Sequence, residues 1–242
     1  MKHLQTYKIF EASQSLTDEQ KKFLDQHTKG TWSLNPSTGK VDIEGSFECV
    51  GQDLRDFKGI SFGSVSRNFD CSENSLQTLE GAPETVGGNF HCYNTSLQTL
   101  EGSPETVGGN FYCFNNSLQS LEGAPRTVGG NFYCDDNPLQ TLEGAPETVG
   151  RKFYLDEMEI PEGEWSKRTL VEIFTTGTPK QKQLVKPLVD PKVLQQMIDK
   201  DPEKMLVKLK DHLKDPHFKD LKWPKHLAQE KDLLSDLSDV GL

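Results

Sequence analysis

Histidine and cysteine stand side by side in the segment VGGNFHCYN, which spans residues 86–94. A thiolate beside an imidazole can act as a nucleophile with its base, and the same two side chains can bind a metal ion. Either chemistry requires the two side chains to converge on one point. The secondary structure that carries them therefore decides between catalysis, metal binding and a structural role.

The segment belongs to a tandem repeat with a period of 21 residues. Four units begin at valines 65, 86, 107 and 128, and read VSRNFDCSENSLQTLEGAPET, VGGNFHCYNTSLQTLEGSPET, VGGNFYCFNNSLQSLEGAPRT and VGGNFYCDDNPLQTLEGAPET. A degenerate unit containing GSFECVGQDLRDFKGISFGS precedes them, and VGRKFYLDEMEIPEG starts a further unit without completing it. One such unit cannot bury its own apolar edge, so the repetition predicts stacked coils.

The cysteines all occupy one position of this repeat: Cys49, Cys71, Cys92, Cys113 and Cys134. Neighbouring residues of a strand point to opposite faces, so His91 and Cys92 should point apart, and a Cys–His nucleophile is not expected. Metal sites use convergent ligands at short spacing, such as C-x₂-C, whereas this spacing lays the thiols in a row. We interpret the cysteines as small buried core residues and predict neither a metal site nor a cofactor.

The repeat predicts an α+β fold with a parallel β-solenoid at its centre. The Phe and Cys of NFxC and the leucines of L-x-x-L should point inward, and Gly and Pro mark the return of the chain. Side chains of one register then stack about 4.8 Å apart. The predicted interior columns are Phe69, Phe90, Phe111, Phe132 and Phe153; Leu76, Leu97, Leu118 and Leu139; and Leu79, Leu100, Leu121 and Leu142. A row of asparagines, interrupted by Thr95, should satisfy the turn backbone: Asn74, Asn116 and Asn137.

The L-x-x-L spacing and the N-x-L step resemble those of leucine-rich repeats. The pattern SLxxLEGAPxxVGGxFxC is similar to the short leucine-rich repeats of many tailed-bacteriophage proteins of unassigned function, over about residues 31–160. The lead-in GTWSLNPSTGKVDIEGSFEC resembles the hairpin that commonly precedes such repeats. The resemblance implies a leucine-rich-repeat-like solenoid in a phage protein that acts in the cytoplasm of the infected bacterium, with a host factor, such as an antiviral defence component, as its partner.

Outward-facing rows of the predicted sheet vary from coil to coil, whereas the inward positions stay fixed. The first row is Glu48, Asp70, His91, Tyr112, Tyr133 and Tyr154; the second is Val50, Ser72, Tyr93, Phe114, Asp135 and Asp156; the third is Ser46, Asn68, Asn89, Asn110, Asn131 and Lys152. Tyrosine is common at interface hot spots, and an exposed aromatic cluster marks a contact surface. We predict a partner-binding face formed by His91, Tyr93, Tyr112, Phe114, Tyr133, Tyr154 and Asp135. Coverage by the C-terminal helices, or simple decoration with β-forming residues, are the alternatives.

Glutamates recur in two further registers: Glu80, Glu101, Glu122 and Glu143; and Glu84, Glu105 and Glu147, a row that Arg126 interrupts. Stacked like charges repel one another, so the fold itself gains nothing from this acidic ridge. It could be a solubilising edge or a docking ridge for a basic partner. Direct binding to nucleic acid is disfavoured, because phosphate contacts need a positive surface.

Charge and composition divide the chain. Residues 1–162 contain 12 basic and 24 acidic residues, whereas residues 163–242 contain 15 and 13, within a net charge of −10. We predict an N-terminal cap over 1–45, the solenoid over 46–160 and a helical region over 161–242. No run reaches the roughly 18 apolar residues of a membrane helix, and no apolar signal core is apparent, so we expect a cytoplasmic protein with reduced thiols.

The two ends of the solenoid need covers. SLTDEQKKFLDQHTKG predicts a capped helix, with Thr17 and Gln20 as a capping box and Gly30 as its end, followed by a hairpin. At the other end, EWSKRTLVEIFTTG, DPKVLQQMIDKD, DPEKMLVKLKDHLKDPHF and PKHLAQEKDLLSDLSDVGL predict helices. Asp190, Asp201 and Asp215 precede prolines and are predicted N-caps.

These features favour a non-enzymatic protein–protein interaction module of undetermined oligomeric state that binds a host protein through its aromatic face and modulates or inhibits it. The alternative is an acidic inhibitor that mimics nucleic acid and occupies a DNA- or RNA-binding host enzyme. An enzyme housed in the lysine-rich tail is the least favoured reading, since its helices show no convergent catalytic pair. No Gly-rich phosphate loop or serine elbow is found, and VGGN is interpreted as a turn.

Overall fold

A computed structural model of the chain describes residues 15–155, 158–160, 167–227 and 231. The chain divides into two compact units, of which the first comprises Met1–Leu139 with Glu143–Trp165 and the second Gln140–Leu142 with Ser166–Leu242. Each unit is described by itself below. The α+β class and the parallel β-solenoid predicted from the repeat are both confirmed.

Helix α1 (Asp18–His27) opens the described part of the first unit. The predicted capping box is confirmed: the Gln20 amide donates to Thr17 Oγ1 at 3.2 Å, and the Thr17 amide donates to Gln20 Oε1 at 2.9 Å. Phe23 and Leu24 are buried, as their helical spacing predicts. His27 binds the Glu48 carbonyl through Nδ1 at 2.7 Å, so the helix is fastened to the first coil.

Strands β1 (Thr28–Leu34) and β2 (Val41–Glu48) form the predicted antiparallel hairpin. The prediction that Gly30 ends the preceding helix is wrong, because the helix ends at His27 and Gly30 lies inside β1 opposite Gly45. Both glycines have positive φ, and a Cβ on Gly30 would lie 2.0 Å from the Glu44 carbonyl oxygen. Close approach of two strands, rather than a helix stop, requires this glycine.

Two ladders of short parallel strands run through the solenoid, and β2 starts both of them. One ladder carries the Phe positions, in the strands β4 (Phe69–Asp70), β6 (Phe90–His91), β8 (Phe111–Tyr112), β10 (Phe132–Tyr133) and β12 (Phe153–Leu155). The other carries the Thr-Val positions, in β3 (Phe62–Val65), β5 (Thr85–Val86), β7 (Thr106–Val107), β9 (Thr127–Val128) and β11 (Thr148–Val149). Strand β13 (Met158–Ile160) pairs antiparallel with β12.

The Thr-Val ladder was not predicted, since VGGN was interpreted as a turn only. The chain does bend at Gly87 and Gly88, but the backbone there also bonds from coil to coil, with Gly87 N donating to Val65 O at 2.9 Å. A Cβ on Gly108 would lie 2.3 Å from the Gly87 carbonyl oxygen. The paired glycines are therefore needed because neighbouring coils approach too closely for a side chain.

The interior columns are confirmed. Consecutive phenylalanines stack with ring centroids 5.1–5.4 Å apart and ring planes within 11° of parallel, from Phe69 to Phe153. The residues of the predicted leucine columns and all the cysteines are also buried. Each buried Phe or Leu contributes about 2 kcal/mol of transfer free energy, so the repeated columns provide the apolar core of the unit.

The asparagine row also performs the predicted role. Asn116 Nδ2 donates to the Cys92 and Cys113 carbonyls at 2.9 and 3.1 Å, and its Oδ1 accepts from Leu97 N at 3.1 Å. Each such amide bridges two coils. In the coil that lacks Asn, Thr95 Oγ1 lies 3.2 Å from the Cys92 carbonyl and 2.6 Å from Asn116 Oδ1.

The second unit is helical over its described residues. Its helices are α2 (Lys167–Thr176), α3 (Pro179–Val185), α4 (Pro191–Lys200) and α5 (Pro202–Leu209), with 3-10 turns at Lys186–Leu188, Lys210–His212, Pro216–Phe218 and Lys225–Leu227. Asp190 and Asp201 cap α4 and α5 as predicted, accepting from the amides of Lys192 and Lys204.

Helix formation beyond Leu209 is weaker than predicted. Asp215 precedes a short 3-10 turn instead of capping an α-helix. After the 3-10 turn, residues 219–224 form a turn and irregular chain. Most of the last predicted helix, over 224–242, lies outside the described residues.

Replacing Asn116 with alanine should lower the free energy of unfolding by about 2–4 kcal/mol, since several buried backbone groups of two coils lose their partner. The reverse change, Thr95→Asn, should leave stability equal or raised, because it completes the row. Urea unfolding followed by circular dichroism measures both. The exposed neighbour Ser117→Ala is the control, and equal losses for Asn116→Ala and Ser117→Ala would contradict the role of the row.

Candidate protein-binding face

The cysteine column lies inside the solenoid and away from His91. All five cysteines are free and buried. The Cys92 thiol donates to the Tyr112 carbonyl at 3.4 Å, and Cys71, Cys113 and Cys134 make the matching bond to the next coil. His91 lies on the opposite side of its strand, so the predicted divergence of the pair is confirmed.

Burial makes these thiols poor nucleophiles. It raises the pKa of Cys49 to about 12, with a further rise from the nearby Asp70 carboxylate. The pKa values of Cys71, Cys92 and Cys113 also lie well above the ordinary range, mainly because burial disfavours the thiolate. Within the described ranges, no group of three His, Cys, Asp or Glu side chains is placed to hold a metal ion.

The first outward row forms a continuous column on the sheet. Strand pairing aligns Glu48, Asp70, His91, Tyr112, Tyr133 and Tyr154 as predicted. The tyrosine rings stack with centroids 4.8 and 4.6 Å apart and planes within 6° of parallel. His91 meets the Tyr112 ring edge to face at 4.6 Å. These side chains are half-buried, because each ring covers part of the next.

Fewer residues of the second row face outward than predicted. Tyr93 and Phe114 stack at 4.6 Å with planes 7° apart, and both are half-buried. Ser72, predicted to face outward, is buried: its hydroxyl lies 2.5 Å from Asp70 Oδ1. A small side chain next to a carboxylate folds back onto it instead of projecting. Asp156, at the end of this row, lies outside the described residues.

The third row supports the first. Asn89 Oδ1 accepts from Asn110 N at 2.8 Å, and the same bond continues through Asn110 and Asn131 to the Lys152 amide. Asn110 Nδ2 donates to the Tyr112 hydroxyl at 2.8 Å, and Asn131 Nδ2 donates to the Tyr133 hydroxyl at 2.9 Å. The hydroxyl groups of Tyr112 and Tyr133 are therefore held by asparagine side chains that are themselves fixed by hydrogen bonds to neighbouring coils.

A hydrogen-bonded cluster lies at the N-terminal end of the aromatic column. His91 Nδ1 is 3.2 Å from Asp70 Oδ2, while Ser72 N donates to Asp70 Oδ1 at 3.0 Å. Burial raises the pKa of Asp70, but hydrogen bonds from His91 and Ser72 outweigh it, so the pKa falls below its ordinary value. The carboxylate therefore stays charged at neutral pH and orients His91.

The acidic ridge is exposed along its whole length. Glu84 of the ridge pairs with Lys40, and Glu147 pairs with Arg126, whose Nε lies 2.9 Å from Glu147 Oε2. The predicted partner-binding face carries the aromatic rows, whereas the ridge lies on the returning part of each coil. The structure therefore presents two chemically different rows of side chains, an aromatic one and an acidic one.

A hydroxyl-lined groove of about 570 Å³ was missed by the sequence analysis. It lies along the Thr-Val ladder, where Thr85 and Thr106 face outward beside Thr31, Ser33 and Glu44. The recurring hydroxyl residue before each Val, Ser64 in the first coil and Thr85, Thr106, Thr127 and Thr148 in the next four, was the available signal. This residue did not predict a second strand, because VGGN was interpreted as a turn, in which side chains do not alternate between two faces.

The comparisons add no relative: no protein-family model, curated protein or solved structure matched the chain. Fold and surface alone thus define the class of protein, a parallel β-solenoid of 21-residue coils with a variable aromatic face. None of the described helices is both long and apolar enough to cross a membrane.

The raised thiol pKa values predict a stability loss in alkali. The unfolded chain releases thiol protons near the ordinary value of 9.0, whereas Cys49 keeps its proton until about pH 12. The thiols therefore make their full contribution to the free energy of unfolding below pH 9. Between about pH 9 and 12 this contribution is lost as the pH rises, by up to about 1.4 kcal/mol per pH unit for each such thiol. Urea unfolding between pH 7 and 11 measures the slope. A variant with Cys49, Cys71, Cys92 and Cys113 changed to Ala should show a shallower slope, and an unchanged slope would contradict the assignment.

Proposed function

We propose that this protein is a non-enzymatic interaction module that binds another protein through its aromatic face. The observation that carries the proposal is the contrast between the two sides of each strand. Interior positions repeat Phe and Cys in coil after coil, whereas the outward row changes from Asp70 through His91 to tyrosine. The fold does not require that change, because Asp, His and Tyr at this position all allow the same backbone pairing.

Rigidity of the face supports binding. Tyr112 and Tyr133 are stacked on their neighbours and tethered by the amides of Asn110 and Asn131. Side chains fixed before binding lose little conformational entropy when a partner arrives. Tyrosine also offers an apolar ring with a polar end, which suits a surface exposed to water in one state and to protein in the other.

The kind of partner follows from the resemblance to phage repeat proteins. A phage protein of this type would act in the cytoplasm of the infected bacterium and would bind a host protein, with defence components among the candidates. Binding by a rigid face would modulate or inhibit the host protein by covering a surface that it needs. This step is analogy from the repeat pattern, since one fold supports many functions.

Changing Tyr112 and Tyr133 together to Ser should abolish capture of the partner. Two truncated hot-spot tyrosines cost roughly 2 kcal/mol each, which corresponds to a loss of several hundredfold in affinity. Immobilised full-length protein would be incubated with bacterial lysate, and retained proteins would be quantified by mass spectrometry. A protein retained by the native chain and lost from the double variant is the expected result.

Thr106→Ala with Thr127→Ala provides the matched control, since it removes two outward side chains from the other ladder at the same coil spacing. Circular dichroism and thermal unfolding must show both double variants folded. Equal retention by the tyrosine variant and the native chain would place the interface elsewhere and overturn the proposal.

A second candidate is an acidic inhibitor that mimics nucleic acid. The observation that favours it is the exposed row of Glu80, Glu101, Glu122 and Glu143, which repeats a negative charge at every coil. The ion pairs of Glu84 and Glu147 weaken the neighbouring row for this purpose. Mimicry of nucleic acid would therefore depend mainly on the row that contains Glu80, Glu101, Glu122 and Glu143.

The two candidates differ in their response to salt. Binding by the glutamate row should weaken steeply between 50 and 500 mM NaCl and should fall in the variant Glu101→Gln with Glu122→Gln, because exposed charges are screened. Binding by the tyrosine face should change by less than about tenfold over that range. Titration of the captured partner at several salt concentrations decides, and survival of binding in molar salt excludes the mimic.

A further inference from the structure

We propose that two copies of this chain associate through the free edge of strand β1, as neighbouring strands of one continuous antiparallel sheet. The inference is independent of the proposed function, which concerns the aromatic face. In the described part of the chain, β1 pairs with β2 only. It is seven residues long, whereas the strands that carry the Phe positions have two or three. A long edge strand with unpaired backbone groups is a template for another strand.

The backbone groups on the free side of β1 belong to alternate residues. Val41 N of β2 donates to Ser61 O at 2.9 Å. Phe47 N makes the equivalent bond to Asn68 O, also at 2.9 Å. The odd-numbered residues of β2 therefore bond to the following coils, and its even-numbered residues bond to β1. Because each even-numbered residue of β2 lies opposite an odd-numbered residue of β1, the even-numbered residues of β1 point their N–H and C=O groups to the free side.

These free groups are accessible. They are the N–H and C=O groups of Gly30, Trp32 and Leu34, and in the described ranges no hydrogen bond reaches them. Gly30 is exposed, and because glycine has no side chain, its exposed surface is backbone. Helix α1 lies on the core side of the strand, where Asp25 Oδ1 accepts from Trp32 Nε1 at 2.8 Å. The edge itself is therefore uncovered at its centre.

Two β1 strands match one another best when Thr31 lies on the two-fold axis of an antiparallel pair. Gly30 then lies opposite Trp32 of the second copy, and Thr28 lies opposite Leu34 of the second copy. Each free N–H of one copy meets a carbonyl of the other, because residues that face the same edge form the hydrogen-bonded pairs of an antiparallel ladder. Moving the axis by one residue in either direction preserves this alternation but leaves fewer residues paired.

The side chains are compatible in this register. On the core side, Trp32 lies beside Gly30 of the second copy, and an aromatic ring over a strand glycine stabilises pairing. On the outward side, Lys29 lies opposite Ser33 of the second copy, and Thr31 lies opposite its own equivalent. No like charges therefore meet directly across the axis, although edge strands commonly use charges to prevent such contacts. This self-complementarity favours a second copy over an unrelated extended segment.

Concentration-dependent association of the full-length chain tests the inference. One pair of seven-residue strands is a small interface, so we expect a dissociation constant of about 10–100 μM. Sedimentation velocity from about 5 to about 500 μM protein should show the average mass rising from 27.2 kDa towards that of two chains. A chain that stays monomeric at about 500 μM would overturn the inference.

Two changes of Ser33 have opposite expected effects. Ser33→Lys places an ammonium group opposite Lys29 of the second copy and should raise the dissociation constant about three- to tenfold, since the contact occurs twice in the dimer. Ser33→Glu places a carboxylate there and should lower the constant by a similar factor. Within one copy Ser33 lies opposite Asp42, so the two changes should affect hairpin stability in the reverse order. Thermal unfolding of the dilute monomer measures that order and separates loss of the dimer from loss of the fold.

Thr106→Lys and Thr106→Glu are the matched controls. Thr106 is exposed and lies four strands from β1, beyond the reach of a single charge in physiological salt. Both controls should keep the dissociation constant within about twofold of the native value. Equal constants for Ser33→Lys and Ser33→Glu would overturn the inference.

Amide hydrogen exchange, measured residue by residue by NMR, locates the contact. The amides of Gly30, Trp32 and Leu34 should exchange at least about threefold more slowly in a concentrated sample than in a dilute one. The amides of Thr31 and Ser33, which already bond to β2, should change less. Uniform slowing along the strand, or slowing confined to other residues, would contradict pairing through this edge.

The variant Tyr112→Ser with Tyr133→Ser separates this inference from the proposed function. It should dimerise like the native chain, because β1 lies outside the aromatic face. A monomeric tyrosine variant would show that the copies meet through their aromatic faces and would overturn the inference. A native chain that is monomeric at every concentration, but captures a partner that the tyrosine variant loses, would overturn the inference and leave the proposed function standing.

Discussion

The hydrogen bond from one coil to the next is the interaction on which the rest of the structure depends. It recurs at every level of the repeat, for example from Phe90 N to Asn110 O and from Cys92 N to Tyr112 O, each at 2.9 Å. Because the step is constant, a side chain meets its own equivalent in the next coil. That identity explains the stacked phenylalanines, the buried thiols and the bridging asparagines together, and it forces glycine where coils come closest.

Constant backbone pairing leaves the outward row free to change. The Phe69-to-Phe153 column cannot vary without leaving a cavity or a clash, since protein interiors are close-packed. The side chain of an outward residue such as Tyr112 stacks on its row neighbours, and only its backbone carbonyl meets the interior Cys92 thiol, so replacement of the side chain leaves the core intact. The same repetition has a cost at charged positions, where like carboxylates align, and the pairing of Arg126 with Glu147 relieves one such contact.

The interior columns and the alignment of the outward rows were predictable from the sequence, because in a strict repeat the orientation of one coil's side chains applies to every coil. The capping box was predictable from the spacing of Thr17 and Gln20. Three features were not. The Thr-Val ladder escaped because two residues of strand are too short for an alternating pattern. Gly30 resembled a helix end, since only the partner strand shows that Gly45 lies opposite. Ser72 turned inward because of a hydrogen bond to Asp70, which residue type alone does not indicate.

Changes of residue type along the outward rows determine the chemistry of the aromatic face. Where one ring stacks on the next, the facing surfaces of both rings are covered and mainly the ring edges stay accessible. Where the column changes type, as between Ser72 and Tyr93 or between Phe114 and Asp135, a ring is followed along the column by a polar side chain instead of another ring. The chemical variety of the outward face therefore lies in the differences between successive coils. The consensus repeat builds the scaffold, and departures from it determine which side chains the outward face presents.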